Sequence, residues 1–202
     1  MASSNDRLVL ASASTARARL LRSSGVDFAV EPARIDEAAL KRQFRAADRS
    51  AADCALALAE AKARSVSARQ PQALVIGADQ ILVCGSEWFD KPERLDAARH
   101  QLGRLRGRVH ALETAVCAAR AGKRLWAAAA APQLKMREFG AVFLDEYLTA
   151  EGEAVLGSVG AYCLEGRGIQ LFDRIDGDYF AILGLPLMPL LAFLREQGRL
   201  PA

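Results

Sequence analysis

The chain has 202 residues, 51% of them apolar, which is enough to bury the core of one α/β domain and excludes the disordered and fibrous classes. Its 27 basic and 24 acidic residues leave a net charge of +3 scattered along the sequence. That gives a mild preference for anions and no electrostatic footprint for nucleic acid, so no nucleic-acid partner is expected. Cys54, Cys84, Cys117 and Cys163 lie about thirty to fifty residues apart, a spacing that suits neither a zinc site nor a compact disulfide framework, and buried free thiols are expected. Met1 to Arg7 is polar, and no later stretch has the length of a membrane span. A cytoplasmic protein with no membrane association is the expectation.

In chain order, Leu8 to Ala11 predicts a strand, the small polar residues after it a loop, and Arg17 to Arg22 a helix. Phe28 to Val30 predicts a second strand and Ala51 to Ala68 an Ala-rich helix. Ala73 to Ile76 is a buried strand entering Gly77-Ala78-Asp79, continued by Ile81 to Cys84 up to a turn at Gly85-Ser86. Leu95 to Leu105 has a helical pattern, and Gly107 to Ala119 is a long strand. Ala121-Gly122-Lys123 carries hairpin chemistry leading to a partner strand over Leu125 to Met136. Phe143 to Leu148 is helical, Gln170 to Ile175 extended, and Leu187 to Arg195 a closing helix between Pro186 and Gly198. Strands alternating with helices, then a long hairpin, predict an α/β fold with a mixed twisted sheet flanked by helices.

Asp79 ends an apolar strand, where a carboxylate can hold a hard divalent cation or orient a water; on position alone, a turn or cap role is commoner. Ser12, Ser14 and Arg17 place hydroxyls, backbone N–H groups and a guanidinium at a helix start, a setting that favours a phosphate chain but also suits a plain N-cap beside a solvent-facing arginine. Lys62 and Lys91 could each deliver an ammonium to phosphate oxygens, although surface lysines are usually only solvated. Trp88-Phe89 before Lys91 suggests a packed loop. His110 is expected to be structural, and no Ser/His/Asp or Cys/His arrangement can be assembled, which favours attack by water. Glu165 lies in a glycine-dense block and could accept hydrogen bonds from the N–H edge of a guanine-like base.

From about Leu8 to Leu194 the sequence resembles the Maf family of nucleotide pyrophosphatases, also described as septum-formation inhibitors. The residues that carry the resemblance run from Leu10-Ala11-Ser12 through Arg17 to Leu20-Leu21, with Thr15 where the family has proline. Ile35-Asp36-Glu37, Ala59 to Ala63, Ile76 to Asp79, Lys91-Pro92 and Gly107 to His110 follow in order. Gly160 to Tyr162, Ile175 to Tyr179 and Gly184 to Leu187 complete the set. Each motif alone is unspecific; the ordered series is not.

The resemblance implies one domain over residues 1–202. It also implies two lobes around a central cleft, elongated and similar to inosine triphosphatases. Asp79 would be the catalytic acid, and Arg17, Lys62 and Lys91 would hold the phosphates. Asp79 with Glu37 would position a divalent metal cation, Mg²⁺ or Mn²⁺, and a water that splits a nucleoside triphosphate into its monophosphate and pyrophosphate. A homodimer is also implied. Gln80 and Glu165 match the branch acting on 7-methyl-GTP rather than the one acting on dTTP and UTP, while Ala16 departs from that branch's tryptophan. The rival class is a regulator of cell division that binds nucleotide without turning it over, and loss of turnover on removing the Asp79 carboxylate discriminates the two.

Overall fold

A computed structural model describes residues 7–201. Ala202 and Met1 to Asp6, most of the polar N-terminal stretch noted above, lie outside the described residues. In chain order the elements are β1 (Leu8–Leu10), α1 (Thr15–Ser23), β2 (Ala29–Val30), α2 (Glu37–Ala46), α3 (Ala51–Arg69), β3 (Leu74–Cys84), β4 (Glu87–Phe89) and α4 (Leu95–Leu105). There follow β5 (Val109–Arg120), β6 (Lys123–Ala130), β7 (Gln133–Met136), α5 (Ala141–Glu151), β8 (Phe172–Asp176), α6 (Tyr179–Ile182) and α7 (Leu187–Glu196). Hydrogen-bonded strand order is β2-β1-β3-β5-β7-β8, with β4 on β3 and β6 on β5. β1 is parallel to β2 and β3, while β3 with β4, β5 with β6, β5 with β7 and β7 with β8 are antiparallel, so the expected mixed sheet is present. The described residues divide into two compact units: those up to Gln80, Thr114–Ala130 and those from Asp178 on form the first, Ile81–Glu113 and Ala131–Gly177 the second.

In the first unit β1 pairs with β3 at Val9 and Val75, and the β5·β6 hairpin turns at Ala121-Gly122. Both turn residues have positive φ, 49° and 74°, the backbone twist that two-residue hairpins favour. Leu8, Leu10, Leu74, Ile76 and Ala78 pack with Ala18 and Leu21 of α1, Val116 and Ala118 of β5, and Leu190, Phe193 and Leu194 of α7. Trp126 on β6 stacks on Phe193 with ring centroids 4.8 Å apart and planes 11° apart. Three helices of this unit start on a side-chain cap: Ser14 accepts from the Arg17 amide, Asp36 from the Ala39 amide and Ser50 from the Asp53 amide.

In the second unit β4 folds back on the end of β3, pairing Trp88 with Val83, while β7 pairs His110 with Leu134 and then meets β8. His110 is buried, its Nε2 lies 2.8 Å from the Tyr162 hydroxyl, and Tyr162 meets the Phe172 ring edge-on.

Four details differ from the sequence expectation. The partner strand expected over Leu125 to Met136 is two strands, because Pro132 has no N–H to continue the ladder. β6 pairs with the second half of β5 and β7 with the first half. α2 was not anticipated, and Trp88 and Phe89 lie in β4 rather than in a loop. All four cysteines are free, but Cys163 is exposed rather than buried.

Candidate active site

Side chains alternate along β3, so Leu74, Ile76 and Ala78 enter the core described above while Gly77 and Asp79 share the other face. That face is covered by α3. A Cβ built on Gly77 would fall 2.2 Å from the Ala59 carbonyl oxygen and 2.7 Å from the Ala63 nitrogen, so only glycine lets helix and strand approach this closely. The buried side of α3 runs Ala51, Ala55, Leu58, Ala59, Lys62, Ala63 and Val66, which places Lys62 on the stripe that meets β3 beside Gly77 and Asp79.

Lys62 is accordingly buried, and its Nζ lies 2.5 Å from Asp79 Oδ1 and 3.0 Å from Glu37 Oε2. Asp79 is 5% exposed. It is a strand residue, not a cap or turn. Glu37 is the first residue of α2, aimed by the Asp36 cap immediately before it, and its side chain is about half exposed. One ammonium is therefore shared between two carboxylates, one buried and one reached by solvent. Taking such charges out of water costs several kcal/mol per ion, about what good pairing geometry returns, so the cluster is a poor choice for stability alone.

Arg17 is held at three points: its Nε donates to the Gly184 carbonyl at 2.7 Å, and its Nη1 to the Ala78 carbonyl at 3.0 Å and Ser12 Oγ at 3.2 Å. Gly184 has φ of 99°, a conformation that side chains resist, and a Cβ there would lie 3.3 Å from Arg17 Nε. Burial lowers the Arg17 guanidinium from its ordinary value, while the charges of Asp79 and Glu37 oppose the shift. It stays protonated. Nη2 is the part of its fork that these three acceptors leave over. Ser14 caps α1, and its amide donates to Ser12 Oγ at 3.2 Å.

Gln80 points to the opposite side of β3 from Asp79. Its Nε2 donates to Thr114 Oγ1 and to the Ala181 and Ile182 carbonyls, at 2.9, 2.9 and 3.2 Å. Two of those neighbours only accept, which identifies the nitrogen end of the amide and commits its donors to protein. Ser12, Ser14, Arg17, Glu37, Lys62, Asp79 and Gln80 thus all belong to the first unit. Lys91 and Glu165 belong to the second, both exposed, Lys91 after β4 and Glu165 within 3.9 Å of Cys163 Sγ. The sequence argument missed Thr114, whose signal is a lone hydroxyl in the apolar run of β5, and the carbonyls of Ala78 and Gly184, which carry no signal of residue type.

The family model described as Maf-like protein matches residues 7–197. The chain belongs to the Maf family. Among the Maf relatives it is similar to, a protein of Granulibacter bethesdensis named nucleoside triphosphate pyrophosphatase is 54% identical, covering 96% of this chain and 98% of its own length. A Brucella abortus protein named 7-methyl-GTP pyrophosphatase is 48% identical over 95% of this chain and 96% of its own, and a Rhizobium meliloti protein of the same name is 46% identical over 96% and 98%.

Among the described residues no group of three or more His, Cys, Asp or Glu side chains forms a metal cage, and no helix is long and apolar enough to cross a membrane. Asp79 and Glu37 nonetheless offer a donor set that suits a hard cation: magnesium is commonly held by one or two carboxylates plus substrate phosphates rather than by an all-protein cage. The two carboxylates already accommodate a positive charge between them, that of Lys62.

Proposed function

We propose that this Maf-family chain is a nucleoside triphosphate pyrophosphatase, releasing a nucleoside monophosphate and pyrophosphate by attack of water. The observation that carries the proposal is the buried Asp79 carboxylate held against Lys62, with Glu37 on the same ammonium and the anchored guanidinium of Arg17 in the same compact unit. The names of the relatives support the same activity.

Arg17 and Lys62 bind phosphate oxygens, Arg17 through Nη2 and Lys62 by exchanging part of its pairing with Asp79. Cations fixed before the reaction need no reorganisation as negative charge moves onto the leaving pyrophosphate. Asp79 accepts a hydrogen bond from the attacking water and takes its proton. Ser12 and Ser14 fix Arg17 and the turn into α1. Asp79 and Glu37 would hold Mg²⁺ or Mn²⁺ together with phosphate oxygens, and such an ion would neutralise phosphate charge. The base is a purine of the 7-methyl-GTP type, supported by the match of Gln80 and Glu165 to that branch and by two of the relatives named above. Gln80 contributes from behind, since its amide nitrogen is committed to protein acceptors.

The test is pyrophosphate release with Mg²⁺ or Mn²⁺ across 7-methyl-GTP, dTTP, UTP and the common triphosphates, for the native chain and Asp79→Asn. Release from 7-methyl-GTP, lost by a factor of about 10² to 10⁴ in a folded Asp79→Asn protein, is expected. Unchanged turnover in that variant sinks the mechanism, and binding without release makes the protein a nucleotide sensor instead. Sedimentation of the native chain tests the homodimer that the family resemblance implies.

A further inference from the structure

Arg17 depends on the Gly184 carbonyl, and that carbonyl depends on a turn which the chain pins from the side. α6 is a single helical turn capped at its start by Asp178, whose carboxylate accepts from the Phe180 and Ala181 amides. Its last carbonyls are gathered by donors from outside the helix. The Ala181 carbonyl accepts from the Gly184 amide at 2.9 Å, from Gln80 Nε2 at 2.9 Å and from the Thr114 hydroxyl at 3.1 Å, while Ile182 takes a second bond from Gln80. Thr114 is 1% exposed and does two things at once, donating its single hydroxyl proton to Ala181 and accepting from Gln80. A helix this short has little hold of its own on its C-terminal carbonyls. Residues 181–184 are therefore fixed by β3 and β5 through these two side chains, and Gly184 then presents its oxygen to Arg17 Nε at 2.7 Å.

We propose that Thr114, acting with Gln80, is a positioning residue for Arg17: it sets the 181–184 turn that orients the guanidinium toward the triphosphate. The proposal rests on the pyrophosphatase function argued above and deepens it. Neither side chain needs to touch substrate for this role. Thr114→Val keeps the shape and removes the hydroxyl, which leaves Gln80 short of an acceptor and Ala181 short of a donor.

The test is a double-mutant cycle with Arg17→Ala, read both as kcat/KM for pyrophosphate release and as affinity for an α,β-methylene triphosphate. In the native background Thr114→Val is expected to lower kcat/KM by about tenfold, the size of one buried hydrogen bond left unmade, and Thr114→Ser to recover it to within about twofold. In the Arg17→Ala background Thr114→Val is expected to change affinity and kcat/KM by less than about twofold, because the residue it positions is already gone. A merely structural Thr114 would instead show the same fold-loss in both backgrounds, and that additivity overturns the proposal. Should Thr114→Val not accumulate as folded protein, Gln80→Met removes the other half of the bracket and carries the same cycle. A native chain that neither binds nor cleaves any triphosphate overturns the function and this role together, whereas an active native chain with additive losses overturns the positioning role alone.

Discussion

Gly77→Ala tests the contact that brings the two halves of the ion cluster together. The added Cβ would sit 2.2 Å from the Ala59 carbonyl oxygen and 2.7 Å from the Ala63 nitrogen, where ordinary contact begins at 3.4 Å. Both clashing atoms are backbone, so no rotamer change relieves them, and α3 has to lift from β3 by about 1 Å. Overpacking of this kind costs about 1–3 kcal/mol, which for a chain of this length lowers Tm by about 2 to 12 °C. The same lift stretches the 2.5 Å contact between Lys62 and Asp79 past hydrogen-bond range, and misplacement by 1 Å can reduce kcat/KM by on the order of a hundredfold. Thermal melts followed by circular dichroism and pyrophosphate release on the same preparations measure both effects. Gly103→Ala is the control, since a Cβ there meets nothing within 4 Å in the interior of α4, and it should raise stability slightly. A Gly77→Ala protein with native Tm and native turnover would refute the claim that this close approach builds the site.

Lys62→Met removes the cation between Asp79 and Glu37 and should destabilise the fold by about 3–5 kcal/mol, seen as a lower urea midpoint, because Asp79 is then buried without its counter-ion. His110 supplies a pH signature: burial pushes its folded value down to about 4 from an ordinary 6.5. As pH falls through 6.5 the unfolded chain takes up a proton that the native one refuses, so this stability is complete above about 6.5 and fades toward 4, by about 3 kcal/mol in all. The drop in urea midpoint from pH 7 to pH 4.5 should accordingly be smaller in His110→Gln than in the native protein. Burial raises the Cys117 thiol to about 12 and also raises that of Cys84, whereas Cys163 is exposed. One thiol per native chain should react with an aromatic disulfide reagent, and none in Cys163→Ser; fast reaction of a second thiol would contradict the packing around β3 and β5.

The strands, the hairpin turn and the closing helix were legible because each rests on a local signal: apolar runs, Ala121-Gly122, Pro186 before α7. Lys62 was legible as a candidate, and its burial could have been read from its place on the Ala51, Ala55, Leu58, Ala59 stripe, where a solvated lysine has no business. The pairing of that lysine with both Asp79 and Glu37 was not legible, since it depends on three elements meeting and on a glycine whose role is set by another helix. Gln80 shows the opposite limit. The family resemblance implies a substrate role for it, but the direction of its amide is decided by the carbonyls of residues 101 and 102 positions further along the chain. Pro132 carries a local signal against one continuous strand over Leu125 to Met136, yet only the register of β6 and β7 on the two halves of β5 reveals what it separates.

The stack of Trp126 on Phe193 makes this protein report on itself. The chain has two tryptophans, Trp126 on β6 in the first compact unit and Trp88 on β4 in the second, so each unit carries its own emission probe. In Trp88→Phe all indole emission comes from Trp126, and it changes when α7 peels away from the hairpin; in Trp126→Phe it comes from β4. Coincident denaturation curves from the two variants mean that both units melt in one cooperative step, while separated curves mean that the half holding Asp79, Lys62 and Arg17 has a melting point of its own.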